Sequence, residues 1–404
     1  MWSRPRQVTT TTVLRTSSDV TPEDVTTAIS STELRAWEAG RVPELVAIAE
    51  QLLAPVPGGT GRYTRELLRA LAETAPDGWE VSSVVSRGGD PEAARVPGVA
   101  GPRVLPLPRR ALIAAWERGL PLWPGGDSVH AMTPLAPPAK RGRGLVVTVH
   151  DTVPWTHPET LTPRGVSWHR RAIGRAARQA DALVVPTSAV AAELAEHTGA
   201  TRLAVIGEGV TPSLLAEPDP AVRLDLPERY VLAIGTIEPR KGYPHLVRAM
   251  AEVPDVPLLI VGRPGWGDVD VLRIAADCGL DRVRVLSSVT DAELAVLLRS
   301  ATALAAPSLA EGFGLPLIEA MALGVPVVHS DAPALVEVAG DAGVVVPRAD
   351  PAALAAALRE VLGDPVRRGE LVAAGRRRVA DFTWTRVARE VWALHRAAVG
   401  DRSA

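Results

Sequence analysis

The chain has 404 residues, of which 47% are hydrophobic, a formal net charge of −2 and a single cysteine, Cys278. That length exceeds one core of ordinary size and sets two domains as the starting expectation, while the balanced charge gives no general reason to invoke nucleic acid. A lone cysteine excludes an internal disulfide framework and fits a reducing compartment, and no apolar run reaches the roughly eighteen residues of a membrane span. The opening MWSRPRQVTTTT lacks the apolar core of a secretory signal, so a cytoplasmic enzyme is the expectation. Of 44 basic residues only Lys140 and Lys241 are lysines, so a lysine at a motif position departs from the chain's own background.

Residues 1–43 are rich in Thr, Ser and charge and read as a loose leader with one short helix around Ser31–Ala39. From Leu45 the pattern changes to short apolar runs alternating with amphipathic stretches. LVAIA, VSSVV, VHAM, LVVTVH and ALVVP read as strands, with Arg62–Glu73, Pro163–Gln179 and Ala189–His197 as intervening helices. Alternation of this kind predicts a parallel sheet covered on both faces, here a first domain over residues 44–208. Between its first strand and helix lies Pro57-Gly-Gly-Thr-Gly-Arg-Tyr63. Clustered glycines let backbone approach a ligand closely, although the segment is neither a P-loop nor a dinucleotide fingerprint. The strand around Val147 ends in His150-Asp151, where the histidine could bond a sugar and the aspartate could orient it or cap the next turn. Basic residues cluster at His169-Arg170-Arg171, Arg175 and Arg178, and again around Arg109-Arg110 to Trp116. Such helices suit either an anionic membrane surface or plain solvent.

Gly207–Pro227 reads as the linker to a second domain, over residues 209–384. Its strands are YVLAIG, PLLIVG, VRVL, ALAAP, VPVV and GVVV. Gly235-Thr-Ile-Glu-Pro-Arg-Lys-Gly242 follows the first of them, so Arg240 and Lys241 could reach a ligand outside the strand's carboxyl end. Asp268-Val-Asp270 imitates a metal-binding Asp-x-Asp but precedes a helix far from the other motifs, and the eight histidines show no metal-ligand spacing. The most informative stretch is PSLAEGFGLPLIEAMALGVPVV, from Pro307 to Val328. Glu311 and Glu319 bracket a Gly312-Phe313-Gly314-Leu315 turn that opens a helix, with Pro316 suited to its first position and Gly324 to its end. Free amides at such a helix start favour an anion, and the two carboxylates favour hydroxyls; a nucleotide-sugar carries both. A capping loop with two solvated glutamates would share this local pattern. The last helix, near Trp384–Ala398, falls in a closing segment of residues 385–404.

These segments together resemble glycosyltransferase family 4, retaining enzymes of the GT-B fold, over roughly residues 45–400 and most densely from 230 to 346. The resemblance implies an α/β architecture of two Rossmann-like domains facing a cleft, with the C-terminal helix crossing back to the first. It implies that Gly59, Gly61 and Arg62 lie over the donor diphosphate and sugar, and that Arg240 and Lys241, beside Gly235, clamp the diphosphate. Glu311 would face the donor sugar, Glu319 the ribose, and the backbone from Gly312 the phosphates or sugar. His150 gains a role beside the reacting sugar. Many relatives carry an arginine where this chain has Thr236, so one phosphate contact is lost. Because Glu-Pro-Arg-Lys and His-Asp occur together, the mannosyltransferase branch is the nearest match. The implied reaction is α-mannosyl transfer from GDP-mannose to a saccharide or lipid-linked acceptor, with no metal, no cofactor and no nucleic-acid partner. The alternatives are a UDP-sugar-dependent transferase, a nucleotide-sugar epimerase or phosphorylase, and a catalytically silent binding protein.

Overall fold

Runs of small and branched aliphatic residues, such as Leu45–Ile48 and Val231–Ala233, are almost fully buried, as only strands covered on both faces can be. The computed structural model describes residues 42–217, 219–265 and 267–400, so the expected helix around Ser31–Ala39 lies outside the described residues. The first sheet comprises β1 (Glu44–Ile48), β2 (Glu80–Arg87), β3 (Ala100–Pro108), β4 (Ser128–Ala131), β5 (Gly144–Thr148), β6 (Ala182–Val185) and β7 (Leu203–Val205). The second comprises β8 (Val231–Ile234), β9 (Leu258–Val261), β10 (Val283–Leu286), β11 (Ala303–Ala306), β12 (Val327–Ser330) and β13 (Gly343–Val346). All pairings within both sheets are parallel. The orders β3-β2-β1-β4-β5-β6-β7 and β10-β9-β8-β11-β12-β13 repeat one topology. In each, the chain winds one way from the central strand and then reverses, leaving a crevice where β1 meets β4 and where β8 meets β11.

The sequence reading omits β3 and β7, both edge strands. Pro102, Pro106 and Pro108 in β3 would interrupt an inner ladder but are tolerated at an edge, and β7 has only three half-exposed residues. Another difference concerns α1, which spans Gly58–Glu73. The glycine cluster is the first turn of this helix, not a loop preceding it. Helices α2 (Arg109–Glu117), α3 (Pro163–Gln179) and α4 (Ser188–Thr198) follow in the first half, and α5 (Asp291–Ser300) and α6 (Leu315–Ala322) in the second. Pro316 is therefore the second residue of α6, while Gly314, with φ of 102°, caps it. Gly324, with φ of 77°, sits just beyond its end, as expected.

The terminal helix α7 (Trp384–Gly400) packs across α1 and the first sheet. Trp392 donates its indole N–H to the Leu71 carbonyl at 3.1 Å, and His395 joins Ser128 Oγ at 2.7 Å and His130 Nδ1 at 3.0 Å. Both histidines are fully buried. Among the described residues no helix is long and apolar enough to cross a membrane.

Candidate active site

The second sheet supplies two loops that flank its topological switch point. After β8 the chain turns at Gly235, whose carbonyl accepts the Tyr243 hydroxyl at 3.0 Å, and forms a short helical turn over Pro239–Lys241. After β11 it runs through Ser308 and Glu311 into α6. Lys241 Nζ lies 2.6 Å from Glu311 Oε1, and Arg240 Nη1 lies 3.0 Å from Oε2. Ser308 donates a further bond to Oε1 at 2.7 Å, and Arg240 also binds the Ala310 carbonyl and Glu238. Burial by itself would push the Glu311 carboxyl up. Lys241 and Arg240 overcome that and hold it down to about 2. Burial likewise opposes the Arg240 charge, but Glu311, Asp151 and Glu238 raise its pKa on balance. Glu311 is thus a fixed anion and hydrogen-bond acceptor, not an acid. The first turn of α6 has no side-chain cap; Pro316 lacks an N–H and the Leu317 N–H donates to the Gly314 carbonyl at 2.9 Å, which leaves the Leu315 amide at the helix start.

The first domain contributes from across the cleft. Arg62, in the second turn of α1, donates to Glu319 at 2.9 Å and to Asp291 of α5 at 3.0 Å. Burial lowers the Arg62 pKa, but these two carboxylates raise it above the ordinary value. Thr211 donates to Glu319 Oε1 as well, at 2.7 Å. Both bonds fall on Oε1. His150 donates Nε2–H to the Met132 carbonyl at 2.9 Å, and this fixes Nδ1 toward Glu208, 3.9 Å away. A carbonyl can only accept, so the hydrogen must be on Nε2. Glu208 is buried, and burial pushes its carboxyl up against the opposing pull of His150. The backbones of the two domains meet here. A Cβ on Gly312 would lie 1.7 Å from the His150 carbonyl oxygen, and Thr187 Oγ1 donates to the Gly312 carbonyl at 3.1 Å.

Together these groups enclose a cavity of about 550 Å³. Gly59, Arg62, His150, Gly235, Arg240, Lys241, Glu311, Gly312, Phe313, Gly314, Leu315 and Glu319 all line it. Gly61 does not: it is buried within α1, where a Cβ would come within 2.2 Å of Pro57 Cβ, so it serves helix packing. Phe313 is 5% exposed and packs edge-on against Phe382, so it belongs to the core as much as to the wall. Sequence reasoning missed Glu208, Thr211 and Asp291. The first two lie in the stretch read as linker, and no spacing marks any of them. Asp270 caps a helix by accepting from the Arg273 amide at 2.9 Å, so half of the Asp-x-Asp imitation has a local structural use. Of the basic residues on α3, Arg170 binds the Pro154 carbonyl and Arg175 the Trp116 carbonyl, so these two are committed to neighbouring elements.

Two doubly wound sheets facing a cleft lined by paired cations and carboxylates define a transferase of the GT-B architecture. Residues 57–214 match the model of Glycosyltransferase Family 4, and residues 217–378 that of Glycosyl transferases group 1. The phosphatidyl-myo-inositol mannosyltransferase of Mycobacterium leprae is 32% identical, over 84% of this chain and 93% of its own. The MMP alpha-(1->4)-mannosyltransferase of Mycolicibacterium hassiacum is also 32% identical, over 85% and 95%. Among solved structures, sucrose-phosphate synthase from Thermosynechococcus elongatus superposes with a TM-score of 0.71 at 25% identity, covering 89% of this chain and 100% of the other. The chain belongs to glycosyltransferase family 4 and is a glycosyltransferase.

Proposed function

We propose that this enzyme transfers an α-mannosyl group from GDP-mannose, with retention, to a hydroxyl of a saccharide or lipid-linked acceptor. The observation that carries this reading is the convergence of Lys241 and Arg240 on Glu311 beside the uncapped start of α6. A diphosphate lying on that helix start meets both cations as its bond to the sugar breaks. The choice of mannose rests on the two relatives named above, both mannosyltransferases and both aligned over most of their length.

In this mechanism the bond from the anomeric carbon to the diphosphate oxygen breaks, and the acceptor oxygen bonds to that carbon on the same face. The acceptor's proton passes to the departing phosphate. Lys241 and Arg240 supply fixed positive charge against the negative charge that develops on the leaving group, so this mechanism calls on no metal or cofactor. One well-placed donor of this kind is worth about 3 kcal/mol of transition-state stabilisation. Glu311 holds both cations in register and accepts from the sugar hydroxyls. Glu319 receives a ribose hydroxyl on Oε2, and His150 borders the reacting sugar.

Thermal unfolding against a panel of nucleotide-sugars, with and without magnesium, tests the donor. A ligand at a hundred times its dissociation constant adds about 2.7 kcal/mol, and GDP-mannose is expected to do so independently of magnesium. Stabilisation by UDP-sugars instead would overturn the donor. A strict requirement for magnesium would overturn the cation-only mechanism.

A further inference from the structure

Glu208 lies three residues beyond β7, at the carboxyl end of the first sheet, with a glycine on each side. Those glycines let the backbone press against its neighbours. A Cβ on Gly207 would lie 3.3 Å from the Phe313 ring, and one on Gly209 would lie 2.5 Å from the Trp384 amide nitrogen. The side chain held between them is 7% exposed and lines the donor cavity. It differs from the other two buried carboxylates there. Glu311 accepts from Lys241, Arg240 and Ser308, and Glu319 from Arg62 and Thr211. Glu208 has no hydrogen-bond partner among the described residues. It faces His150 Nδ1 at 3.9 Å, beyond hydrogen-bond reach. That nitrogen is itself an acceptor, because the Nε2–H is given to the Met132 carbonyl. Two acceptors therefore face each other with no donor between them. Burial, and after it repulsion from Glu319 and Glu311, push the Glu208 carboxyl up against the pull of His150.

His150 also borders a second cavity, of about 860 Å³, where the starts of α2 and α3 bring Arg109, Arg110 and Arg164 to the wall. Glu208 does not line that one, so of the two cavities that meet at His150 it serves the donor cavity. On its other side is a small recess of about 290 Å³, and the cations there, Arg378 and Arg386, are given to the Glu337 carbonyl and to Glu390. What the space beside Glu208 lacks is a hydrogen-bond donor. A sugar hydroxyl supplies one, whereas a phosphate brings acceptors and more negative charge, so the hexose and not the diphosphate belongs here. We propose that Glu208, with His150 Nδ1, accepts a hydroxyl of the donor sugar, and that through this contact the site tells a nucleotide-sugar from the bare nucleotide. The proposal rests on the transferase reading above and adds a sugar contact to it. A buried carboxylate without a donor is unfavourable in the free protein, and the bound hydroxyl relieves it.

The test is calorimetric binding of GDP and GDP-mannose, and of UDP and UDP-glucose, to the full chain and to two variants. In Glu208→Ala the ratio of the nucleotide-sugar Kd to the nucleotide Kd should rise about tenfold, as for loss of a hydrogen bond to a charged group, with the nucleotide Kd itself unchanged. Glu208→Gln keeps the shape and an acceptor oxygen but not the charge, and should show a smaller rise. The melting temperature of the free Glu208→Gln protein should be higher than that of the wild type, because a buried charge is removed and the amide can donate to His150 Nδ1. A ratio that is unchanged in Glu208→Ala overturns the proposal. Equal weakening of nucleotide and nucleotide-sugar, with a lower melting temperature in Glu208→Gln, also overturns it and makes Glu208 a structural strut. The donor reading fails in a different way. Wild-type binding of the UDP pair in place of the GDP pair overturns GDP-mannose while the ratio still tests Glu208, and wild-type binding of none of the four overturns both.

Discussion

In the donor cavity Arg62, Arg240 and Lys241 are each matched to at least one carboxylate, whereas across His150 Arg110 and Arg164 are matched to none among the described residues. The contrast separates two ways of using charge. The matched set stands rigid before any ligand arrives, which suits stabilisation of a leaving group because no side chain must reorganise at the moment of reaction. The unmatched pair is solvent-exposed and no carboxylate holds it in place, so it lacks that preorganisation. In the donor cavity the cost of bringing charge together is met within the protein by Glu311, Glu319 and Asp291.

The largest test of that contrast removes one matched cation. Lys241→Ala deletes the ammonium 2.6 Å from Glu311. Turnover should fall by about a hundredfold or more, corresponding to one lost leaving-group donor. Circular dichroism should be unchanged, because Arg240 and Ser308 still hold Glu311. Wild-type turnover in this variant would remove Lys241 from the chemistry and leave Glu311 as a purely structural anion.

A smaller effect is expected from Glu319→Ala. The carboxylate is 2% exposed and ties Arg62 and Thr211 together across the cleft. Its loss leaves Arg62 with Asp291 alone and takes away the acceptor proposed for the ribose. The donor KM should rise by about tenfold, as for loss of a hydrogen bond to a charged group, with a lesser change in kcat. An unchanged donor KM would exclude Glu319 from donor binding and reduce it to a strut for Arg62.

The two cavities were unequally legible in the sequence, and the reason is chain distance. Arg240 with Lys241, and Glu311 with the start of α6, each follow one strand directly, so a short string exposes both their chemistry and their place at a strand's carboxyl end. Arg62 reaches Glu319 across 257 residues, which no local pattern encodes. Thr211 and Glu208 were hidden in a stretch whose glycines and prolines read as linker. Arg109 and Arg110 read as either a membrane-facing or a solvated helix face and Arg164 was not singled out, because only the fold brings the starts of α2 and α3 to one wall. Strand positions were read from short apolar runs, and that signal failed at the edges, where β3 and β7 are partly exposed. Gly61 shows the opposite error: a glycine inside a suggestive motif proved to be needed for helix packing against Pro57.

Acid sharpens the comparison from another direction, because the donor cavity is not where acid should act first. Glu311 keeps its charge down to about pH 2, so any stability that it contributes is fully present above the ordinary carboxyl range. The anchor of α7 behaves differently. His395 and His130 lie in a buried chain of hydrogen bonds running from Ser128 to Thr148 and on to Tyr63, beneath the cleft. Burial pushes His130 down to about 3, with His150 adding repulsion, and pushes His395 well below its usual value, with His130 adding to that. Both histidines therefore stay neutral in the folded chain while their unfolded counterparts take up protons below about pH 6.5. The unfolded state binds more protons there, so stability is full above that pH and falls as the pH drops toward 3. Two such groups give a limiting slope of about 2.7 kcal/mol per pH unit. Chemical unfolding between pH 7 and pH 5 should show this decline, and His395→Gln should reduce its slope by about half while leaving the pH 7 thermal shift with GDP-mannose in place. An equal decline in both proteins would place the acid sensitivity outside the α7 anchor, and no decline in either would mean that the histidine pair is hydrated enough to titrate normally.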